Sequence, residues 1–354
     1  MAIKPVYGKT DIPIELTLKY WAKTTWQAGI KDSFFHKFMG HDQKSIVHVK
    51  EELHKGKGTS INIALRLPLL GAGRIEGQKL EDHEEKLRFA NFDVYLHQIR
   101  HATRIEGKFE EQKTQIELRR ESKNALSDWW ANWFDTSIFA VATGIMPDWV
   151  DTTNGDQFPF ELEAPTKDRV LYAGSATSES TITPGDTFST KMIGKARRLA
   201  RADKNKAIRP IRIDGKETYV MIIDQYQKRD LQRDPVWLEA QKHANVRGEK
   251  NPIFSGALGI YDGIVIHECL NVPRTATGAD GAMVGHALFL GAQAITLAEG
   301  QPMDWDEELY DYGNEYGVGV SRMLGLKKSR FKYDGENWTD YGVINVMTSS
   351  EDND

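Results

Sequence analysis

The chain has 354 residues, enough at about 150 per domain for two domains or one large elaborated one. Forty per cent of it is hydrophobic, with 14 Phe, 12 Tyr and 9 Trp, which supports a sizeable core and excludes a disordered polymer. A net charge of −5 excludes a strongly basic nucleic-acid coat, and the lone Cys269 excludes an internal disulfide framework or a cysteine-rich zinc site.

No signal-like start is visible, since Lys4 is followed at once by Pro5, and the longest apolar run, Ala287 to Ala298, is too short to span a bilayer. The expectation is a soluble chain made in a reducing compartment. Charge is uneven along it. Residues 1–60 hold ten Lys against six acids, and residues 299–354 hold five basic against thirteen acidic residues. Either the head of one copy meets the tail of another, or both are simply solvated surface.

The first forty residues read as short helices, and Phe34, Phe35, Phe38 and Met39 form one apolar face that Gly40 ends. From Ser45 the period changes to that of strands. Ile46 to Val49 is β-rich, a turn-like stretch runs from His54 to Gly58, and Ile61, Ile63, Leu65 and Leu67 then alternate with Asn62, Ala64 and Arg66. A polar stretch from Gly71 to Glu85 leads to a third extended segment, Leu87 to Ile99. Together these predict a long hairpin with arms of about 12 residues, roughly 40 Å. A two-stranded arm of that length needs support, from its own domain or from a neighbouring molecule.

The clearest helix is predicted from about Glu110 to Phe139, where Leu126, Trp129, Trp130, Trp133 and Phe134 share one face of a 3.6-residue period. Such a tryptophan stripe invites a sugar-binding reading, but the helical spacing points to core anchoring. After Pro147 the chain loosens through Asp148 to Pro165 and Ser175 to Gly185, the place for a domain junction. A helix is predicted over Thr187 to Asp203, then a strand Ile208 to Ile213, a turn at Asp214-Gly215 and a strand Tyr219 to Ile223. Asp234-Pro235 opens another helix to about Ala244, and strands follow at Gly259 to Cys269, Ala287 to Leu290 and Tyr341 to Met347. The mixture is α+β rather than a doubly wound sheet.

Chemistry is harder to find. The glycines from Gly71 to Gly77 do not fit a dinucleotide fingerprint, and neither a phosphate-binding loop nor a metalloprotease histidine pair is present. His267 and Cys269 share a strand face with Glu268 pointing away, and Cys269 sits in apolar company, which favours a buried structural thiol. Adjacent acids such as Glu84-Glu85 and Glu307-Glu308 do not converge on one atom. The basic stretch Lys191 to Lys206 could meet phosphates or acidic partners, but with Met192, Ile193, Ala196, Leu199 and Ala200 on its other side it reads as a solvated helix face. No catalytic constellation, metal site or cofactor site emerges.

The order of the pieces resembles the tailed-phage major capsid proteins of the HK-97-like fold, and in detail the N-four-like podophage family. The phrases that carry the resemblance include Phe38-Met39-Gly40, Glu52 to Gly58, the Leu69 to Gly77 loop with the acids Glu81 to Glu85, and Leu126 to Trp129. Further along come Asn251 to Phe254, Tyr261-Asp262-Gly263, Asp311 to Asn314, Gly325 to Lys328 and Asp340 to Val343. The order and spacing of these phrases, from about residue 15 to 348, matter more than any one of them. Thr59 departs from the Asp that often follows this glycine in the family, a detail of the loop.

The resemblance implies an N-terminal arm (1–44), an extended loop (45–85), a peripheral domain (86–167) with its spine helix, an axial domain (168–298) and a return to the peripheral domain (299–354). In that fold the extended loop lies across an adjacent subunit, so Lys50, Lys55, Lys57, Ile61, Ile63, Leu65, Leu67, Arg74, Glu81, Glu84 and Glu85 become candidate inter-subunit contacts. Leu126, Trp129, Trp130 and Trp133 become the core face of the spine helix. The implied partners are further copies in hexameric and pentameric capsomers, portal, scaffolding and decoration proteins, and packaged double-stranded DNA at the inner face. The implied location is the virion capsid, assembled in the host bacterial cytoplasm, with no membrane partner, no cofactor and no enzymatic activity. A glycan-processing enzyme with surface carboxylates and a Trp-lined site is the alternative. A nucleic-acid-binding regulator rests on Lys191 to Lys206 alone.

Overall fold

The computed structural model describes residues 25, 28, 29, 31, 33–52, 58–67, 69, 71–105, 107–113, 117–213, 216–242 and 257–352. After a 3-10 helix at Phe34–Phe38 come strands β1 (Met39–Gly40), β2 (Val47–Lys50), β3 (Ser60–Arg66), β4 (Phe89–Tyr95) and β5 (His97–Ile105). Helices α1 (Gly107–Lys113) and α2 (Leu118–Thr143) precede β6 (Val170–Tyr172), α3 (Thr190–Arg201), β7 (Ile211–Ile213) and β8 (Lys216–Ile223). Then follow α4 (Gln225–Arg233), α5 (Pro235–Lys242), β9 (Gly259–Tyr261), β10 (Ile264–Glu268), β11 (Arg274–Thr275), β12 (Val284–Leu290) and β13 (Ile295–Glu299). The last strands are β14 (Asp304–Tyr310), β15 (Glu315–Lys328), β16 (Arg330–Lys332), β17 (Trp338–Asp340) and β18 (Val343–Ser349).

The chain divides into two compact units. The first comprises Met1–Ser33, Gln98–Trp133 and Gln301–Met323, and the second the remainder. In the first unit, β14 pairs antiparallel with residues 315–321 of β15, which also takes β5 as a neighbour. The aromatic stripe of α2 belongs here as far as Trp133. Trp130 and Trp133 are buried and their rings meet edge to face at 5.4 Å. Trp129 is only half-buried and stacks on the His101 ring of β5 at 4.3 Å. Of the expected face, Leu126, Trp130 and Trp133 are buried and Trp129 lies at the margin.

The second unit is built on a sheet in the order β6-β18-β12-β8-β10-β9, with β11 beside β12 and β7 beside β8. The pairs β8–β10 and β6–β18 are parallel and the others antiparallel. Helix α3 packs its apolar face on this sheet, burying Met192, Ile193, Ala196 and Ala200 among Tyr219, Met221, Phe289, Ile344 and Val346. Asp234 ties two helix starts together. One carboxylate oxygen accepts from Val236 N at 2.9 Å inside α5, and the other accepts from Thr190 N and Oγ1 at 2.8 and 2.7 Å at the start of α3. The same unit holds β1, β2 and β13, with residues 324–328 of β15 paired to β13.

Four sequence expectations change. The expected helix from Glu110 is two, with α2 starting at Leu118 and running on to Thr143. Ile46 to Val49 is not a hairpin partner of the next strand, because β2 runs parallel to β1 and β13, while β3 pairs with β4 over seven residues. The paired arm is thus about 23 Å long rather than 40 Å, and the segment 67–88 forms its tip. Residues 299–354, expected as one piece, divide between the two units, and β18 lies in the sheet of the second unit between β12 and β6. Finally, β14 and the long β15 were not foreseen.

Candidate functional site

The extended loop splits into a stem that the chain itself buries and a tip that it does not. Ile61 and Leu67 are buried, with Ala90, Phe92 and Val94 of β4, against Ala298, Phe331 and Tyr341 of the same unit. Rings set this contact: Phe92 meets Phe331 at 5.1 Å, and Phe331 meets Tyr341 at 5.2 Å. Ile63 and Leu65 pack partly on the same cluster. The backbone also approaches closely, for a Cβ at Gly325 would overlap the Tyr95 carbonyl oxygen. Within one chain, Ile61 and Leu67 are thus buried in this cluster, while Ile63 and Leu65 stay partly exposed at its edge. The reason is a partner, the Phe331–Tyr341 pair, far away in sequence.

Beyond the Leu67 N to Arg88 O hydrogen bond, 2.9 Å long, the two sides part and the tip opens into solvent. Arg74, Glu81, Glu84 and Glu85 are all exposed there. Glu85 closes the tip internally, its carboxylate accepting from Gly71 N at 2.6 Å. The apolar members are the ones sequence reasoning did not single out as contacts: Leu69, Ile75, Leu80 and Leu87, between 58% and 74% exposed, with Phe89 equally exposed at the last pair of the stem. Their signal in the sequence is isolation, large aliphatics scattered in a polar run without a strand or helix period. Of the lysines, Lys50 is half-buried and 3.3 Å from Glu52, while Lys55 and Lys57 lie outside the described residues.

The other candidates resolve into structural roles. Fully buried His267 presents Nδ1 to Lys37 Nζ at 3.2 Å, and the ammonium also lies over the Phe34 and Phe38 rings at 4.5 and 5.1 Å. Burial pushes the neighbouring Cys269 thiol up to about 12, which removes it as a nucleophile at neutral pH. Glu268, on the opposite face, pairs with Lys228 at 2.5 Å. The basic stretch is partly neutralised, Arg197 by Asp262 and Arg201 by Glu217. Among the described residues no three His, Cys, Asp or Glu side chains are grouped to hold a metal, and no helix is long and apolar enough to cross a membrane. The cavity between Leu67, Arg88, Asn205, Lys206 and Tyr333 holds about 170 Å³, well below the roughly 300–1,000 Å³ of small-molecule sites.

The mixed sheet under α3, the long helix and the extended loop match those of solved phage capsids, which places the chain in the HK-97-like capsid fold. The capsid of Ralstonia phage GP4 has this fold, with a TM-score of 0.81 at 30% identity over 91% of this chain and 92% of that one. The cyanophage Pam1 capsid asymmetric unit shares it, with a TM-score of 0.71 at 22% identity over 92% and 94% of the two chains. In sequence, the major capsid protein of Pseudomonas phage KPP25 is 30% identical over 362 aligned positions, 93% of this chain and 94% of that protein. The phage capsid protein family model matches residues 13–351, and the chain belongs to that family. It is a major capsid protein of the tailed bacteriophages, which self-assembles into the capsid of the virion, the icosahedral head, and is not an enzyme.

Proposed function

We propose that the tip of the extended loop is the part of the chain that joins one copy to the next. The observation that carries this is the exposure of Leu69, Ile75, Leu80 and Leu87 in one loop tip, with Phe89 exposed at the end of a stem that buries its other face in the chain's own core. A cluster of large apolar side chains left in water by one copy is stabilised by burial against another, at about 25 cal/mol per Å² of apolar surface. Arg74, Glu81 and Glu84 on the same tip give that contact its charge pattern, with Lys50, Lys55 and Lys57 nearby in sequence. On this reading the sheet of the second unit, with 168–298 and β18, is the axial domain, and α2 is the spine of the peripheral domain.

The copies close into hexameric and pentameric capsomers within the N-four-like branch of the family. Portal, scaffolding and decoration proteins complete the head, and double-stranded DNA is held at the inner face without sequence preference. Replacing residues 69–87 by a short Gly-Ser turn tests the contact. The variant is expected to remain folded by circular dichroism, because the stem keeps its core, and to form no closed particles by electron microscopy. Normal particles from that variant would overturn the assignment.

A further inference from the structure

Strand β18 is buried along all seven residues, and this raises a question of register. One face carries Val343, Asn345 and Met347 and the other Ile344, Val346 and Thr348, so apolar and polar groups are mixed on both. A slip along the neighbours is then poorly opposed by the hydrophobic pattern, which normally fixes register by having one wet face. Something else must specify the pairing of Val284 with Ser349 and Leu290 with Val343.

The segment that leaves the strand is held by side chains from the start of α4 and from β11. At the start of α4, Asp224 and Gln227 cap each other: Gln227 N donates to Asp224 Oδ1 at 2.6 Å, and Asp224 N donates to Gln227 Oε1 at 3.1 Å. Both side chains are buried, and the cap leaves Asp224 Oδ2 and Gln227 Nε2 facing the strand end. Gln227 Nε2 donates to Thr348 Oγ1 at 2.8 Å and to Gly285 O at 3.0 Å, and Ser350 Oγ donates to Asp224 Oδ2. Arg274 lies 4.1 Å over the Tyr226 ring and donates to Ser350 Oγ and O at 2.8 and 2.5 Å. Arg229, 5.6 Å from the same ring centre, donates to Glu351 O at 2.7 Å and to Asp352 Oδ1 at 3.2 Å. Met283 N donates to Glu351 Oε1 at 2.5 Å.

We propose that the first turn of α4 together with Arg229 and Arg274 is a recognition site for the acidic segment Ser349–Asp352 of the same chain, and that filling it sets the register of β18. Together with Met283 N, the site reads the Thr348 and Ser350 hydroxyls, the Ser350 and Glu351 carbonyls and the Glu351 and Asp352 carboxylates. A slip of one residue offers Gln227 Met347 or Ser349 in place of Thr348, and moves Ser350 away from Asp224 and Arg274. Charge-assisted bonds to buried groups make that mismatch costly where the apolar pattern does not.

Hydrogen exchange on the full chain tests this. In Ser350→Ala and in Arg274→Ala, amides of residues 343–350 are expected to exchange roughly tenfold faster or more, with β8 and β10 unchanged, since local opening is measured separately from global unfolding. Arg274→Lys, which keeps the charge and loses the two-pronged geometry, is expected to fall between Arg274→Ala and the parent. Unchanged exchange over 343–350 in both alanine variants would overturn the proposal. So would an equal acceleration through β8 and β10, which would mark the contacts as general core stability. Ser350→Ala removes one hydroxyl, so the test stands even if Arg274→Ala does not fold.

Discussion

Lys328 Nζ lies 3.3 Å from Asp340 Oδ2, and each side chain is 1% exposed. The pair is the centre of a larger set. Arg330 Nε reaches Asp340 Oδ1 at 2.9 Å and its Nη1 reaches Glu163 at 2.9 Å, while Thr166 N donates to Asp340 Oδ2 at 3.0 Å. Lys328 also donates to Glu163 O at 3.0 Å and to Ala142 O at 3.4 Å, in the last turn of α2, where a cation complements the helix dipole. Burial pulls the Lys328 pKa down and Asp340 opposes that pull. Removing one partner of such a pair strands the other charge. We expect Lys328→Met or Asp340→Asn each to cost about 3–5 kcal/mol, and the double variant to cost less than the sum. Urea unfolding of the four proteins checks it, and additive losses would show the two charges to be independent.

The tryptophans of α2 differ in burial, so they should differ in consequence. Trp133→Ala leaves a cavity in a buried cluster, for an expected loss of about 3–5 kcal/mol. Trp129→Ala, at a half-buried position, gives up its stack on His101 and its ring contacts with Trp130 and Trp133, for an expected loss of about 1–2 kcal/mol. Thermal unfolding of the two variants side by side would reveal equal losses if the helix face were uniformly buried.

Acid should act through Glu179. Hydrogen bonds from His286, Thr277 and Thr275 hold its carboxyl down to about 2, against an ordinary value of 4.5. A carboxylate whose folded pKa is depressed stabilises the fold above the unfolded value, and the contribution is lost as pH falls through the folded one. The window is therefore pH 4.5 down to about 2. Glu179→Gln is expected to have a lower Tm than the parent at pH 7 and to converge on it across that window. Parallel curves down to pH 2 would rule this group out as a contributor.

Charges on the loop tip should show in kinetics. Exposed pairs are worth only about 0–1 kcal/mol each, but every copy repeats them. Salt screens them, with a Debye length of about 10 Å at 0.1 M and about 3 Å at 1 M. Assembly followed by light scattering is expected to slow as salt rises, and Glu81→Lys with Glu84→Lys to slow it further at low salt. A rate indifferent to both would leave apolar burial as the sole driving force of the contact.

What the sequence discloses follows from how local the cause is. The antiparallel pairing of β7 with β8 was legible because both strands are written in neighbouring residues, and Ile213 pairs with Lys216; the expected turn residues Asp214 and Gly215 lie outside the described residues. Helix α3 and the cap at Asp234 were legible for the same reason. Strand β15 was not, because its inward row of Val318, Val320, Leu324 and Leu326 also contains Arg322 and Lys328, buried charges whose partners lie elsewhere. The loop stem was misread on similar grounds. Nothing near Ile61 announces Phe331 and Tyr341, and the glycines of Lys55 to Gly58 suggest a hairpin between β2 and β3 that the parallel pairing of β2 with β13 replaces.

On the proposed reading of the tip, a loop anchored at its stem and free at its tip makes each copy both a donor and an acceptor, at different places on its surface. Such head-to-tail contacts close into rings when the rotation closes. A copy that keeps Phe92, Phe331 and Tyr341 but lacks its tip would fold, accept its neighbour's loop and offer nothing onward. In a cell making both kinds of chain, the faulty one would not be passed over; it would take up a position and end the ring there. Loss of the tip should therefore behave as a dominant trait, while loss of the stem, which removes the copy from the pool by unfolding it, should behave as a recessive one.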